Sequence, residues 1–438
     1  MIRNLAFSLL VATTVNAAQP VERITQLLAR YYPANEPGAV VLVERDGKTL
    51  LRTAYGLADV ELQTALKPEH LMKVGSISKQ FTAVAILKLA EAKKLSLEDK
   101  ASKYLTDFPH DVTIEQLLTH TAGVAEYTAI PEYGAALRQD ATVDEIVGLI
   151  RAKPLAFAPG TKYQYTNSAY FILGAIVEKA SGTALAEFLR KEVLDPQGLA
   201  QTRVDTLQDI IPKRARGYQR AEGKIRNATM YSPTRAFSVG WLLSTVDDLS
   251  KWNRVLHGGK VLPAPLLERA LTSAKLADGT PTNYGLGWFL GELEGARVIE
   301  HGGDIPGFSS HVLSIPERKI FVAVLSNDAH HEPRPDFVAT QIATLLLGKP
   351  WDPVAISLTD AELDAFTGTY RNAAGVERKV TRDGTRLFIE RVGGRKSEVF
   401  PLSKDTLFYA SSFMTAQFLP DGTMVLRNRG KEMDRAKK

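Results

Sequence analysis

Strand-forming sequence in this chain is concentrated at two places far apart. Residues 39–56 hold two apolar runs around Asp46-Gly47, a dipeptide that accepts the positive φ of a tight hairpin turn. Before residue 348, strand character returns in residues 286–292, 298–299, 310–315 and 320–325. Between them, from about residue 101 to 282, the chain is polar, Pro-marked and partly helical. A lone hairpin cannot bury its own faces, so the early and late segments must share one sheet. Helical periodicity in residues 21–32 and 81–94 supplies layers to cover it. The expected fold class is therefore α/β: an antiparallel sheet flanked by helices, with a mostly helical insertion. An active site is expected where those layers meet.

Beyond residue 348 the texture changes. Gly348-Lys349-Pro350-Trp351-Asp352-Pro353 reads as a linker. After it, short strand-like runs at 366–370, 386–389, 406–409, 417–419 and 424–426 alternate with Asp383-Gly384 and Asp421-Gly422 turns. They predict a small C-terminal antiparallel β-domain or barrel. At the other end, Arg3 precedes a short apolar stretch, residues 5–15, and Val15-Asn16-Ala17 offers small residues at the positions a signal peptidase reads. That pattern predicts a cleavable signal peptide ending at Ala17, hence a periplasmic or secreted protein. The expected organisation is a signal peptide at 1–17, a main domain at 18–347, a linker at 348–358 and a small barrel-like domain at 359–438. No later segment reaches the ~20 apolar residues of a membrane span.

Cysteine is absent, which removes disulfides, thiolate nucleophiles and Cys-based zinc sites. The net charge of +5, from 54 basic and 49 acidic residues, is spread along the chain without a basic run, so no nucleic-acid partner is expected.

Three stretches carry chemistry. In Gly75-Ser76-Ile77-Ser78-Lys79, Ser76 and Lys79 stand three apart on one helical face, with Cβ atoms roughly 5–6 Å apart. A serine needs a base, and a lysine serves only when burial or a neighbouring cation lowers its pKa. Ser78 has no Lys at that offset. In Pro159-Gly160-Thr161-Lys162-Tyr163-Gln164-Tyr165-Thr166-Asn167-Ser168, Tyr165 and Asn167 are expected on one side of an extended segment, before a helix over 168–180 ended by Gly182. A phenol can relay a proton when cations lower its pKa, and an amide can hold a substrate carbonyl or orient the lysine; equally, Asn167 or Ser168 can cap the helix. In Glu300-His301-Gly302-Gly303-Asp304, an imidazole is expected to end a strand, with glycines that let substrate approach the backbone.

Taken in order, these three motifs resemble the serine β-lactamase and penicillin-binding peptidase family, particularly its class C and D-aminopeptidase/carboxypeptidase branch. Gln116-Leu117-Leu118-Thr119-His120-Thr121-Ala122-Gly123, Ser244-Thr245-Val246-Asp247-Asp248-Leu249 and Tyr284-Gly285-Leu286-Gly287-Trp288 match in kind, so the likeness covers residues 22–345. The resemblance implies a β-lactamase/transpeptidase-like fold and an acyl-enzyme on Ser76 with Lys79 as general base. It implies Tyr165 as the proton relay, and the backbone N–H groups of Ser76 and Asp304 as the oxyanion hole. It further implies Asn167, Gly302 and Gly303 at the substrate, with His301 opposite Tyr165. Where that family carries Lys-Thr-Gly, this chain has His301-Gly302-Gly303. An imidazole near its reference pKa of about 6.5 is charged only part of the time, which disfavours efficient β-lactam hydrolysis.

The implied function is a peptidase or amidase acting on D-amino-acid peptides, with no cofactor and no metal. The alternatives are a carboxylesterase or weak class C-type β-lactamase on the same site, and, from another class, a non-catalytic binding protein with the same fold. The expected partner is a small peptide, ester or β-lactam substrate. No Gly-x-Ser-x-Gly elbow, P-loop or complete Gly-x-Gly-x-x-Gly is present. His330-His331-Glu332 lies among prolines and reads as a solvated loop, and His120 as a structural residue after a helix.

Overall fold

The structure, a computed structural model, describes residues 18–394 and 396–438, so the signal-peptide expectation for residues 1–17 lies outside the described residues. The first hairpin forms as the sequence predicts, from β1 (Ala39–Arg45) and β2 (Lys48–Tyr55), with Asp46 and Gly47 at φ 53° and 74°. The late strands are β3 (Phe289–Leu293), β4 (Ala296–Ile305), β5 (Phe308–Ile315) and β6 (Ile320–Ser326). They join it in one antiparallel sheet of order β3-β4-β5-β6-β1-β2, where β1 pairs with β6 from Ala39↔Ser326 to Arg45↔Ile320.

Both faces of that sheet are covered, which is why its central strands read as continuous apolar runs. Val40 and Leu42 point into a core shared with α2 (Ser78–Glu91) and α3 (Asn167–Ser181). Val41 and Val43, one residue out of phase, pack with Ile24 and Leu28 of α1 (Ala18–Tyr31) and with Val338 and Ile342 of α4 (Pro335–Leu346). The insertion is mostly helical, with short strands at Arg203–Val204, Tyr218–Ala221, Lys224–Asn227 and Leu242–Ser244.

The C-terminal strands, from Gly368–Asn372 to Lys431–Lys437, close an eight-stranded antiparallel barrel, sealed by the pairs Arg371↔Lys437 and Asn372↔Ala436. Its interior is filled: Tyr370, Leu387, Ile389 and Met424 pack around Leu363 and Phe366 of the helix Asp360–Phe366. The barrel meets the rest of the chain where Phe413 lies 5.2 Å from Phe337 of α4 and 5.3 Å from Trp351.

Candidate active site

A tight turn brings the first motif to the sheet. Gly75, at φ 52°, turns the chain into a 3₁₀ segment, Gly75–Ile77, that leads directly into α2. Ser76 sits on that segment and Lys79 in the first turn of the helix. The Lys79 Nζ donates to Ser76 Oγ at 2.8 Å, to Asn167 Oδ1 at 2.8 Å and to Val239 O at 3.2 Å. Lys79 is fully buried, and burial lowers its pKa from 10.5 to about 7, with the Glu126 carboxylate pulling back upward. An ammonium would donate to all of those acceptors. A neutral amine keeps two donors and turns its lone pair to the Ser76 hydroxyl. The site therefore holds a lysine that can take up a proton near neutral pH.

Asn167 is the first residue of α3 and not part of an extended segment, and the helix cap is Thr166, whose hydroxyl accepts from Ser168 N–H at 3.2 Å. The Asn167 backbone N–H donates to Glu126 at 2.6 Å, and the Thr166 hydroxyl donates to the same carboxylate at 2.9 Å. Glu126 thus anchors the start of α3 and holds the Asn167 amide against Lys79.

Tyr165 packs beside Lys79, whose Nζ lies 5.0 Å from the ring centre. The expectation of a lowered phenol pKa is not met. Burial pushes the hydroxyl well above its ordinary value, although the Ser76 side chain pulls the other way, so Tyr165 stays a neutral phenol. The His120 ring lies against it, tilted by 36°, with ring centres 4.3 Å apart. That imidazole sits at φ 57°, fully buried, and accepts from Thr166 N–H at Nδ1, 3.2 Å away.

His301 departs from expectation twice. It lies in the middle of β4 and does not end a strand: the ladder continues through Gly302↔His311, Gly303↔Ser310 and Asp304↔Ser309. Nor does it titrate near 6.5. Burial, then the charge of Lys79, drives its pKa down to about 3. Its Nδ1 bonds the Gly302 carbonyl at 2.6 Å and must carry the hydrogen, so Nε2 accepts from the Tyr284 hydroxyl at 3.2 Å. The ring is 6.2 Å from Tyr165 and 5.0 Å from Phe289, a neutral wall with no free N–H.

The glycines after it make room for the chain itself. A Cβ on Gly303 would lie 1.9 Å from Val74 O and 2.8 Å from Ser76 N, and one on Gly75 2.9 Å from Asp304 N. Strand β4 and the Ser76 turn therefore touch backbone to backbone, which brings the two backbone N–H groups, of Ser76 and Asp304, to one place. Ser76, Asn167 and Asp304 open on a cleft of about 290 Å³ walled by Tyr127, Tyr133, Tyr231, Leu137, Ile305 and Pro306.

Glu126 and Tyr284 were not singled out from sequence. Tyr284 lies in the stretch Tyr284-Gly285-Leu286-Gly287-Trp288, where nothing marks its hydroxyl as a partner of His301, and Glu126 is a lone acid in an irregular segment with no periodicity to mark it. His330-His331-Glu332 is not the wholly solvated loop expected from its composition. His331 is buried and stacks on Tyr32, just past α1, at 4.5 Å, while His330 and Glu332 are exposed.

Comparison with known proteins follows the same line. Penicillin-binding protein 4* of Bacillus subtilis is 26% identical over 404 residues, covering 86% of this chain and 89% of that one. A D-aminopeptidase of Brucella anthropi is 27% identical over 382 residues, 83% of this chain and 71% of its own. Among solved structures, the octameric penicillin-binding protein homologue from Pyrococcus abyssi superimposes with a TM-score of 0.69 at 25% identity, over 97% of this chain and 100% of that one. The beta-lactamase family model matches residues 24–346, well over half of the 438, and the chain belongs to that family of serine hydrolases.

Proposed function

We propose that the protein is an exported hydrolase working through an acyl-enzyme on Ser76, a peptidase or amidase for D-amino-acid substrates. The observation that carries this is the 2.8 Å contact between Ser76 Oγ and a buried Lys79 whose pKa falls to about 7. In the neutral form Lys79 takes the Ser76 proton as Oγ bonds the acyl carbon. The N–H groups of Ser76 and Asp304 receive the oxyanion, and the neutral Tyr165 hydroxyl relays a proton to the departing amine or alkoxide. Water then attacks the acyl carbon along the same path and restores Ser76.

The cleft electrostatics narrow the substrate. None of the described side chains lining it is cationic, and the nearby Arg334 is engaged by the Asp304 carboxylate at 2.9 Å. With His301 neutral, a substrate carboxylate beside the reacting carbonyl finds no charge partner. Amides and esters lacking that carboxylate are favoured over penicillins, and two relatives named D-aminopeptidase support the D-amino-acid assignment. Export rests on the residue 1–17 pattern, and the division at 348–358 on the linker composition.

The test is mass spectrometry of the intact protein against a D-aminoacyl anilide, a short ester, a D-peptide with a free C-terminal carboxylate, and benzylpenicillin. The anilide and ester should acylate Ser76 and turn over, with penicillin a slow acylator. Preferred turnover of penicillin would make the class C-type reading correct. No adduct with any compound, and no fluorophosphonate labelling, would leave a binding protein.

Gly303→Ala should damage this site selectively. Its Cβ cannot sit 1.9 Å from a backbone oxygen, so β4 must move away from the Ser76 turn. The expected costs are about 1–3 kcal/mol of stability from overpacking and about 10²-fold in acylation rate from a displaced oxyanion donor. Thermal melting and fluorophosphonate labelling rates measure the two separately.

A further inference from the structure

The residue before His301 is tied to the C-terminal barrel. Arg429 lies in the turn between the last two barrel strands, Thr423–Asn428 and Lys431–Lys437, at φ 49°. Its N–H donates to Phe413 O at 3.3 Å, beside the aromatic contact that seats the barrel. The guanidinium reaches out of the barrel and takes Glu300 in a bidentate pair, Nη1 to Oε1 at 2.8 Å and Nη2 to Oε2 at 3.1 Å. Nη2 also donates to Thr340 of α4 at 2.7 Å. From the other side, His311 Nε2 donates to the same carboxylate at 3.1 Å. The side chains of Arg429 and Glu300 are only 17% and 14% exposed.

Burial opposes the Glu300 charge, but the His311 bond and the Arg429 charge outweigh it and hold the carboxyl at about 2. It is therefore ionised at any working pH, and its stability inside the protein depends on a cation supplied by another part of the fold. Glu300 stands on β4 next to His301 and four residues before Asp304, and it pairs in register with Phe289, which packs on His301. Without Arg429 the buried carboxylate must turn toward water, and β4 is the strand that must give.

We propose that Arg429 of the barrel is a positioning residue for the reaction, clamping β4 through Glu300 so that His301 and the Asp304 N–H keep their places against Ser76. This rests on the acyl-enzyme reading above. It gives the barrel a task in catalysis from behind the sheet, without entering the cleft.

The experiment uses the full-length chain with Arg429→Ala, Arg429→Met, Arg429→Lys, Glu300→Gln and the Arg429→Ala/Glu300→Gln double variant. Steady-state turnover of a short ester and fluorophosphonate labelling are read alongside melting. The expected result is a kcat about ten- to a hundredfold lower with KM little changed. Lys should restore part of the loss, and the double variant should be no worse than Arg429→Ala, because the second change removes the stranded charge. Should Arg429→Ala not fold, Met keeps the packing stem and carries the test. Wild-type kcat in the Ala or Met variant would overturn the proposal. So would a loss that follows melting temperature, affects KM equally and is not relieved by Lys. Failure of the wild-type protein itself to label would instead sink the Ser76 reading.

Discussion

Ser76→Ala is expected to abolish fluorophosphonate labelling and to lower kcat on any acyl substrate by about 10⁴-fold or more. Among the described residues, neither the serine nor the threonine hydroxyl of α2 can stand in. Ser78 is buried, and its Oγ accepts from the Leu242 N–H at 3.2 Å. Thr82 donates to Ser238 O at 2.7 Å on the next turn of the helix. The activity that remains would come from the oxyanion donors and Lys79 acting on water. The fold should not notice the change: Ser76 opens on the cleft, and Lys79 keeps Asn167 and Val239 O as acceptors. Stability within about 1 kcal/mol of wild type is expected. Labelling and melting measured on the same preparation check both statements. A variant that labels like wild type would show that the nucleophile lies elsewhere.

Ser76, Lys79, Tyr165, Asn167, His301 and Asp304 stand in three short motifs of the sequence; the structure puts Ser76, Asn167 and Asp304 on the cleft, with Lys79 behind Ser76, Tyr165 beside Lys79 and His301 beyond Tyr165. Their electrostatic state was not legible. Whether Tyr165 is a phenol or a phenolate, and whether His301 is charged, depends on what buries them. Tyr163, Tyr170, Tyr284, Phe289 and His120 arrive from separate parts of the chain. A reference pKa assumes water around the group, and here there is almost none. The same cause hid Glu126, whose importance lies in reaching the start of α3 from a loop some forty residues earlier in the chain.

The fold divides along similar lines. Strands buried on both faces, such as Ala39–Arg45 and Ile320–Ser326, announce themselves as apolar runs. Barrel strands with one small inward face do not. Glu377–Asp383 buries only Val380, Lys396–Pro401 only Val399, and Lys431–Lys437 only Ala436. One inward apolar residue among charged ones gives no alternation to detect, so the sequence predicts some of the strands and the ring closes with the rest. Arg429 belongs to this second group: a charged residue in a polar turn looks solvated until the turn is docked.

Lys79→Met is expected to lower kcat/KM by about 10³-fold, the middle of the range for a general-base contribution, while changing stability at pH 7 by no more than about 2 kcal/mol. The two effects share one origin. Burial brings the amine from 10.5 down to about 7, so the wild-type rate should rise with pH through about 7 as the neutral base forms, then level off. His301, at about 3, and Tyr165, held above its ordinary range, add no second limb between mildly acidic and mildly alkaline pH. The same displacement opposes folding. Between about pH 7 and the ordinary lysine value of 10.5, the unfolded chain binds more proton than the folded one, so stability rises with pH across that window. At pH 7 the cost of keeping Lys79 buried is on the order of 4 kcal/mol. Methionine removes that cost and leaves the Asn167 and Val239 acceptors short of a donor, which returns about 1–3 kcal/mol each. The balance lies within about 2 kcal/mol of zero at pH 7 and moves against methionine as pH rises, so the variant's melting temperature relative to wild type should fall between pH 7 and 10. An inactive variant that melts well below wild type at pH 7 would mean that Lys79 is held as a paired ammonium, and its role as the base would fail with it.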